Sequence, residues 1–137
     1  MVKSKINHII YVEDDPEIID LVSLILGKNG YEVTGVYNGR EGLQRIIDEK
    51  PDLVLLDLMI PDLDGWEIYR QLKTHESTCD IPVIIITAKS QPIDQVIGIH
   101  IAKVDAYICK PFHPQEILDN IQKVLEIHNS VTESSQN

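Results

Sequence analysis

Four short stretches of this chain carry side chains that could act together. Asp57 closes the apolar run Leu53-Val54-Leu55-Leu56, and Glu13-Asp14-Asp15 follows Ile9-Ile10-Tyr11-Val12. Thr87 ends Val83-Ile84-Ile85-Ile86, and Lys110 ends Ala106-Tyr107-Ile108-Cys109. A carboxylate at the end of a buried strand is costly unless something there uses its charge. Three adjacent carboxylates repel one another, and a divalent cation balances them. Magnesium suits that place, since it takes oxygen ligands from one or two carboxylates, waters and a phosphate. The same acids can also cap the following helix and favour its positive end. The expected division puts Asp15 on the cap and Asp14 on the cation. A carboxylate beside such a cation can attack a phosphoryl group and form an aspartyl phosphate. The developing charge on the equatorial oxygens then needs donors, and a hydroxyl at Thr87 with an ammonium at Lys110 supplies them. Either residue alone is ordinary at a strand end; their joint placement gives the signal.

Those residues need elements to hold them. Apolar, β-branched runs predict strands near 9–12, 32–36, 53–56, 82–86 and 106–109. Between them, apolar residues three and four apart predict helices: Ile18, Ile19, Val22, Ile25 and Leu26; Leu43, Ile46 and Ile47; Trp66, Ile68, Tyr69 and Leu72. A fourth set is Ile93, Val96, Ile97 and Ile101, and a fifth Ile117, Leu118, Ile121, Val124 and Leu125. Asp15-Pro16 offers a helix start, Asn29-Gly30 a stop, and Asn38-Gly39, Lys50-Pro51, Ile81-Pro82 and Lys110-Pro111 further boundaries. Alternating strands and helices imply an α/β, doubly wound parallel sheet with helices on both faces. If the first and third strands are neighbours, Asp14 and Asp57 stand side by side at the carboxyl edge, where ligands sit in such sheets.

The 137 residues fit one domain, with 43% hydrophobic residues and a formal charge of −10. An acidic balance of that size argues against tracking a nucleic-acid backbone. Cys79 and Cys109 lie in no redox or zinc motif. The first five residues lack the apolar core of a signal peptide and no run reaches membrane-spanning length, so the expected location is cytoplasmic, with no membrane contact. Residues 1–128 are expected to form the domain, and the polar stretch 129–137 a frayed or disordered tail.

At Val12-Glu13-Asp14-Asp15, Asp57 with Pro61-Asp62-Leu63-Asp64-Gly65, Thr87-Ala88 and Lys110-Pro111-Phe112, over roughly residues 6–128, the sequence resembles the receiver domain of two-component response regulators. The resemblance implies a (βα)5, flavodoxin-like sheet in the order 2-1-3-4-5, the order that flavodoxin shares with chemotaxis receivers. It implies a signalling switch rather than an enzyme, one that assists its own phosphorylation and dephosphorylation. Asp57 resembles the phosphoacceptor that takes a phosphoryl group from a sensor histidine kinase or phosphotransfer protein. Asp14 resembles the main carboxylate ligand of Mg2+, for which Mn2+ can substitute, with Glu13 assisting through water. Met59 sits where the family lends a backbone carbonyl to the metal. Lys110 resembles the lysine that pairs with the phosphoryl group, Thr87 the switch hydroxyl and Tyr107 the aromatic that answers it. Met59 and Lys89, two residues after Asp57 and Thr87, resemble positions that tune phosphoryl lifetime, and an apolar Met59 is expected to slow hydrolysis. The downstream protein target and the oligomeric state stay open.

Two departures stand out. The turn before the fifth strand reads Ala102-Lys103-Val104-Asp105-Ala106 where the family usually has a glycine. A lysine at positive φ would be strained, so a different turn is expected there. The preceding stretch carries Ile93, Ile97, Ile99 and Ile101, for which core packing is expected and a partner surface is the alternative. Among rival functions, a pseudo-receiver that binds protein without phosphorylation would normally lack some acidic or lysine positions, and none is missing. A haloacid-dehalogenase-like phosphatase would need a second acid at position 59, and a flavin-binding module a phosphate loop where Glu13-Asp14-Asp15 repels anions.

Overall fold

The computed structural model describes residues 6–88, 94, 96, 97, 99 and 102–135. Five strands form one parallel sheet: β1 (Asn7–Val12), β2 (Tyr31–Val36), β3 (Leu53–Leu56), β4 (Val83–Thr87) and β5 (Ala106–Cys109). Their order is β2-β1-β3-β4-β5. Helices α1 (Pro16–Lys28), α2 (Gly39–Glu49), α3 (Gly65–Thr74) and α4 (Pro114–Ser135) cover the two faces. The architecture is the flavodoxin-like, doubly wound arrangement that the alternating pattern predicts.

Period-two alternation sorts the central strands between two cores. Ile9 and Tyr11 of β1, Leu53 and Leu55 of β3, and Ile84 and Ile86 of β4 join Ile19, Val22 and Leu26 of α1 and Ile117, Ile121 and Leu125 of α4. Ile10, Val12, Val54, Leu56, Val83 and Ile85 face the other way, against Ile46 of α2 and Ile68 and Leu72 of α3. Both faces of β3 are buried, which is why its sequence is a continuous apolar run instead of an alternating one.

Helix ends follow local chemistry. Asp15 caps α1 by accepting the Glu17 N–H, and Pro16 fits its first turn; the helix stops at Lys28, before Gly30 at φ 88°. Every free N–H at the start of α2 is satisfied. Asp62 accepts from Gly39 at 2.7 Å and Arg40 at 3.0 Å, while the Asn38 side chain takes Glu41 and its carbonyl takes Gly42.

Two expectations change. Lys103 adopts φ 60°, so the lysine accepts the left-handed geometry rather than forcing another turn. Val96, Ile97 and Ile99 are exposed, not core; Ile93 and Ile101 lie outside the described residues. Helix α4 runs from Pro114 to Ser135, with no glycine or proline after Pro114 to interrupt it. Among the described residues, no helix is long and apolar enough to cross a membrane.

Candidate functional site

The sheet order delivers the predicted residues to one edge. β1 pairs with β3 through Val12↔Leu56, so the residues that follow, Glu13 and Asp57, emerge together; the Asp57 N–H donates to the Val12 carbonyl at 3.0 Å. β5 pairs with β4 through Thr87↔Cys109, and the Lys110 N–H donates to the Thr87 carbonyl at 2.9 Å. Thr87 is fully buried at that edge, and Tyr107 of β5 packs half-buried against the core on the α2–α3 side. The Lys110–Pro111 peptide is cis.

Glu13 and Asp57 are almost wholly inaccessible, at 1% and 3% exposure, whereas Asp14 is open to solvent. One carboxylate oxygen from each of the three lies within 4.8 Å of the others. Lys110 reaches between the two buried acids. Its Nζ donates to Asp57 Oδ2 at 2.8 Å and to Glu13 Oε2. Asp57 Oδ1 accepts the Met59 N–H at 2.9 Å. Glu13 Oε1 accepts the Asp15 N–H at 3.2 Å, and Oε2 also accepts the Tyr11 hydroxyl at 3.2 Å. Among the described residues, no buried side-chain polar atom lacks a partner.

Charge is distributed unequally across this pocket. Burial pushes Glu13 up to about 7, against the pull of Lys110, and the charge of Asp57 adds to the rise. Burial acts on Asp57 in the same sense, but the bonds from Lys110 and the Met59 N–H outweigh it and hold that carboxyl below its usual range. Burial opposes the charge of Lys110, yet its bonds to Asp57 and Glu13 keep the ammonium above its ordinary value. Burial raises Tyr107 to about 12, so it stays a neutral phenol.

Three hard oxygen donors converging from two loops fit a small divalent cation such as magnesium. Met59 is 55% exposed between the buried Leu58 and Ile60, so its thioether faces solvent while its main chain lies beside Asp57. Lys89 lies outside the described residues. Two contributors had no assigned role in the sequence. Tyr11 shares a strand face with Glu13, which the alternation of β1 makes readable. Asp62 anchors α2, a partner 22 residues away that no local pattern reveals.

The sequence model of the response regulator receiver domain matches residues 9–122. The chain belongs to that family. Solved receivers share its fold. A CheY-like response regulator receiver domain protein from Methanospirillum hungatei is 30% identical with a TM-score of 0.83, over 92% of this chain and 98% of that one. The N-terminal receiver domain of Klebsiella pneumoniae RstA, in a BeF3-activated form, is 32% identical with a TM-score of 0.78, over 87% and 98%. The receiver domain of a signal transduction histidine kinase from Syntrophus aciditrophicus is 32% identical with a TM-score of 0.78, over 88% and 90%. This receiver therefore carries its acidic pocket on the family's fold, and receivers are signalling switches.

Proposed function

We propose that Asp57 accepts a phosphoryl group from a histidine kinase or phosphotransfer protein, and that the modification changes what the receiver binds. The observation that carries this reading is the Lys110 ammonium held between buried Glu13 and Asp57, with Asp14 at the open side. In the transfer, an Asp57 carboxylate oxygen forms the new O–P bond as the N–P bond of a phosphohistidine breaks, and the imidazole leaves with its electron pair and takes up a proton. Asp14, Asp57 and the Met59 carbonyl would hold magnesium with Glu13 behind them, and the metal supplies charge neutralisation at the phosphoryl oxygens. Lys110, no longer paired with a bare Asp57 carboxylate, turns to those oxygens, and the Thr87 hydroxyl is drawn towards them. Tyr107 then fills the space that Thr87 leaves.

Intact-mass analysis after incubation with a small phosphodonor tests the reading. A magnesium-dependent phosphoryl adduct that disappears in Asp57→Ala is expected. A folded protein that gives no adduct with any donor would instead favour a binding module independent of phosphorylation. Thr87→Ala should still form the adduct but lose the phosphorylation-dependent change in partner binding, read by titration against the cognate protein.

A further inference from the structure

Tyr11 is the largest fully buried side chain in the molecule's described core, and its hydroxyl does something a phenylalanine there would not. The ring packs among the apolar residues between the sheet and helices α1 and α4. The hydroxyl emerges at the carboxyl edge, where it donates to Glu13 Oε2 at 3.2 Å. That same oxygen accepts from Lys110, while Oε1 is occupied by the Asp15 N–H. Glu13 is thus clamped from three sides: by its own loop, by β5 and, through Tyr11, by the core.

Two of these partners, the Tyr11 hydroxyl and the Asp15 N–H, are neutral, and one, the Lys110 ammonium, is charged. A divalent cation beside Asp14 and Asp57 repels the Lys110 ammonium, and a phosphoryl group on Asp57 attracts it elsewhere. Either event takes a donor from a carboxylate that is 1% exposed, and a buried charge that loses a partner is destabilised. The Tyr11 hydroxyl and the Asp15 N–H are then what keep Glu13 oriented and satisfied. We propose that Tyr11 is a positioning residue of the receiver site: its hydroxyl holds the Glu13 carboxylate in place so that Lys110 can leave and a divalent cation can enter. This rests on the reading of the pocket as a magnesium-dependent phosphoacceptor site, and adds a residue that acts only through Glu13.

Calorimetric titration of the full chain with magnesium, in four forms, tests it: the unmodified protein, Tyr11→Phe, Glu13→Gln and the double variant. Tyr11→Phe keeps the ring, and its melting curve reports that the fold is intact. Its magnesium affinity should fall about tenfold, the effect typical of removing an outer hydrogen-bond partner of a metal site. In the Glu13→Gln background the same substitution should change affinity by less than about twofold, since the residue through which Tyr11 acts has been altered. Equal losses in both backgrounds would mean that the hydroxyl matters only to packing, and would overturn the proposal. So would unchanged or tighter binding by Tyr11→Phe. Failure of the unmodified protein to bind magnesium at all would overturn the phosphoacceptor reading itself, and the role of Tyr11 with it.

Discussion

Asp57 and Met59 sit two residues apart and divide the work of one loop between a buried carboxylate and an exposed thioether. On the proposed phosphoacceptor reading, the exposed Met59 side chain two residues after Asp57 would hinder a water attacking a phosphoryl group in line. Met59→Asn should therefore speed loss of the adduct by about threefold, roughly 0.6 kcal/mol of barrier, measured as decay of the phosphorylated mass with time. Asp62 works at the same scale but on stability. The Gly39 N–H chiefly, with the Arg40 N–H, holds its carboxyl below the ordinary range. A carboxyl with a depressed folded pKa stabilises the fold above its unfolded value, near pH 4, and loses that contribution as pH falls through the folded one. Asp62→Ala should cost about 1 kcal/mol near neutral pH, in line with removing a helix-cap acceptor, and the gap should narrow at about pH 3. Urea denaturation of both proteins at the two pH values gives the comparison.

Helix α3 shows how an element is constrained by the site it borders. Asp64 caps it by accepting the Trp66 N–H at 2.9 Å, and Gly65 at its first position lies against the strand end. A Cβ on Gly65 would stand 2.5 Å from Leu58 Cα and 2.7 Å from the Asp57 carbonyl oxygen, both main-chain atoms with no freedom to swing aside. Gly65→Ala should cost about 1–3 kcal/mol and also displace the Asp57 loop, so that denaturant midpoint and phosphorylation rate fall together. In α4 the demand is packing alone. Ile121 is fully buried in the core that α4 shares with α1 and the sheet, and Ile121→Ala should cost about 2–5 kcal/mol in urea denaturation.

Across the whole molecule, the acidic pocket is a place where the fold gives up stability for its chemistry. Three carboxylates within 4.8 Å, one of them raised to about 7 by burial, oppose folding, and Lys110 offsets only part of that. A cation that binds the folded state alone stabilises it by about 2.7 kcal/mol at a hundredfold excess over its dissociation constant. Magnesium should therefore raise the melting temperature by several degrees, and chelation should reverse the rise. Asp14→Asn should melt close to the unmodified protein without metal and lose most of the magnesium shift, as thermal scans in each condition would show.

Sequence alone determined the five strands, the helices among the described residues and the order in which candidate side chains follow the strands. Strand runs, helical spacings and the residues at strand ends are local, and the alternation of acids, hydroxyl and lysine after successive strands already placed Asp14, Asp57, Thr87 and Lys110 at one edge. It also held the Tyr11–Glu13 relation, two residues apart on one strand face, although nothing in the spacing says that a tyrosine rather than a valine matters there. The tertiary structure decided what depends on distant partners. Lys110 meets Glu13 as well as Asp57 because β5 and β1 converge from opposite sides of β3, and Asp62 reaches α2 across 22 residues. Burial divided the acids into a raised Glu13 and a lowered Asp57, since desolvation and hydrogen bonding act on the packed site and not on the string of residues. The left-handed Lys103 and the exposed Ile97 and Ile99 likewise followed from tertiary context, which overrode what their residue types favour by themselves.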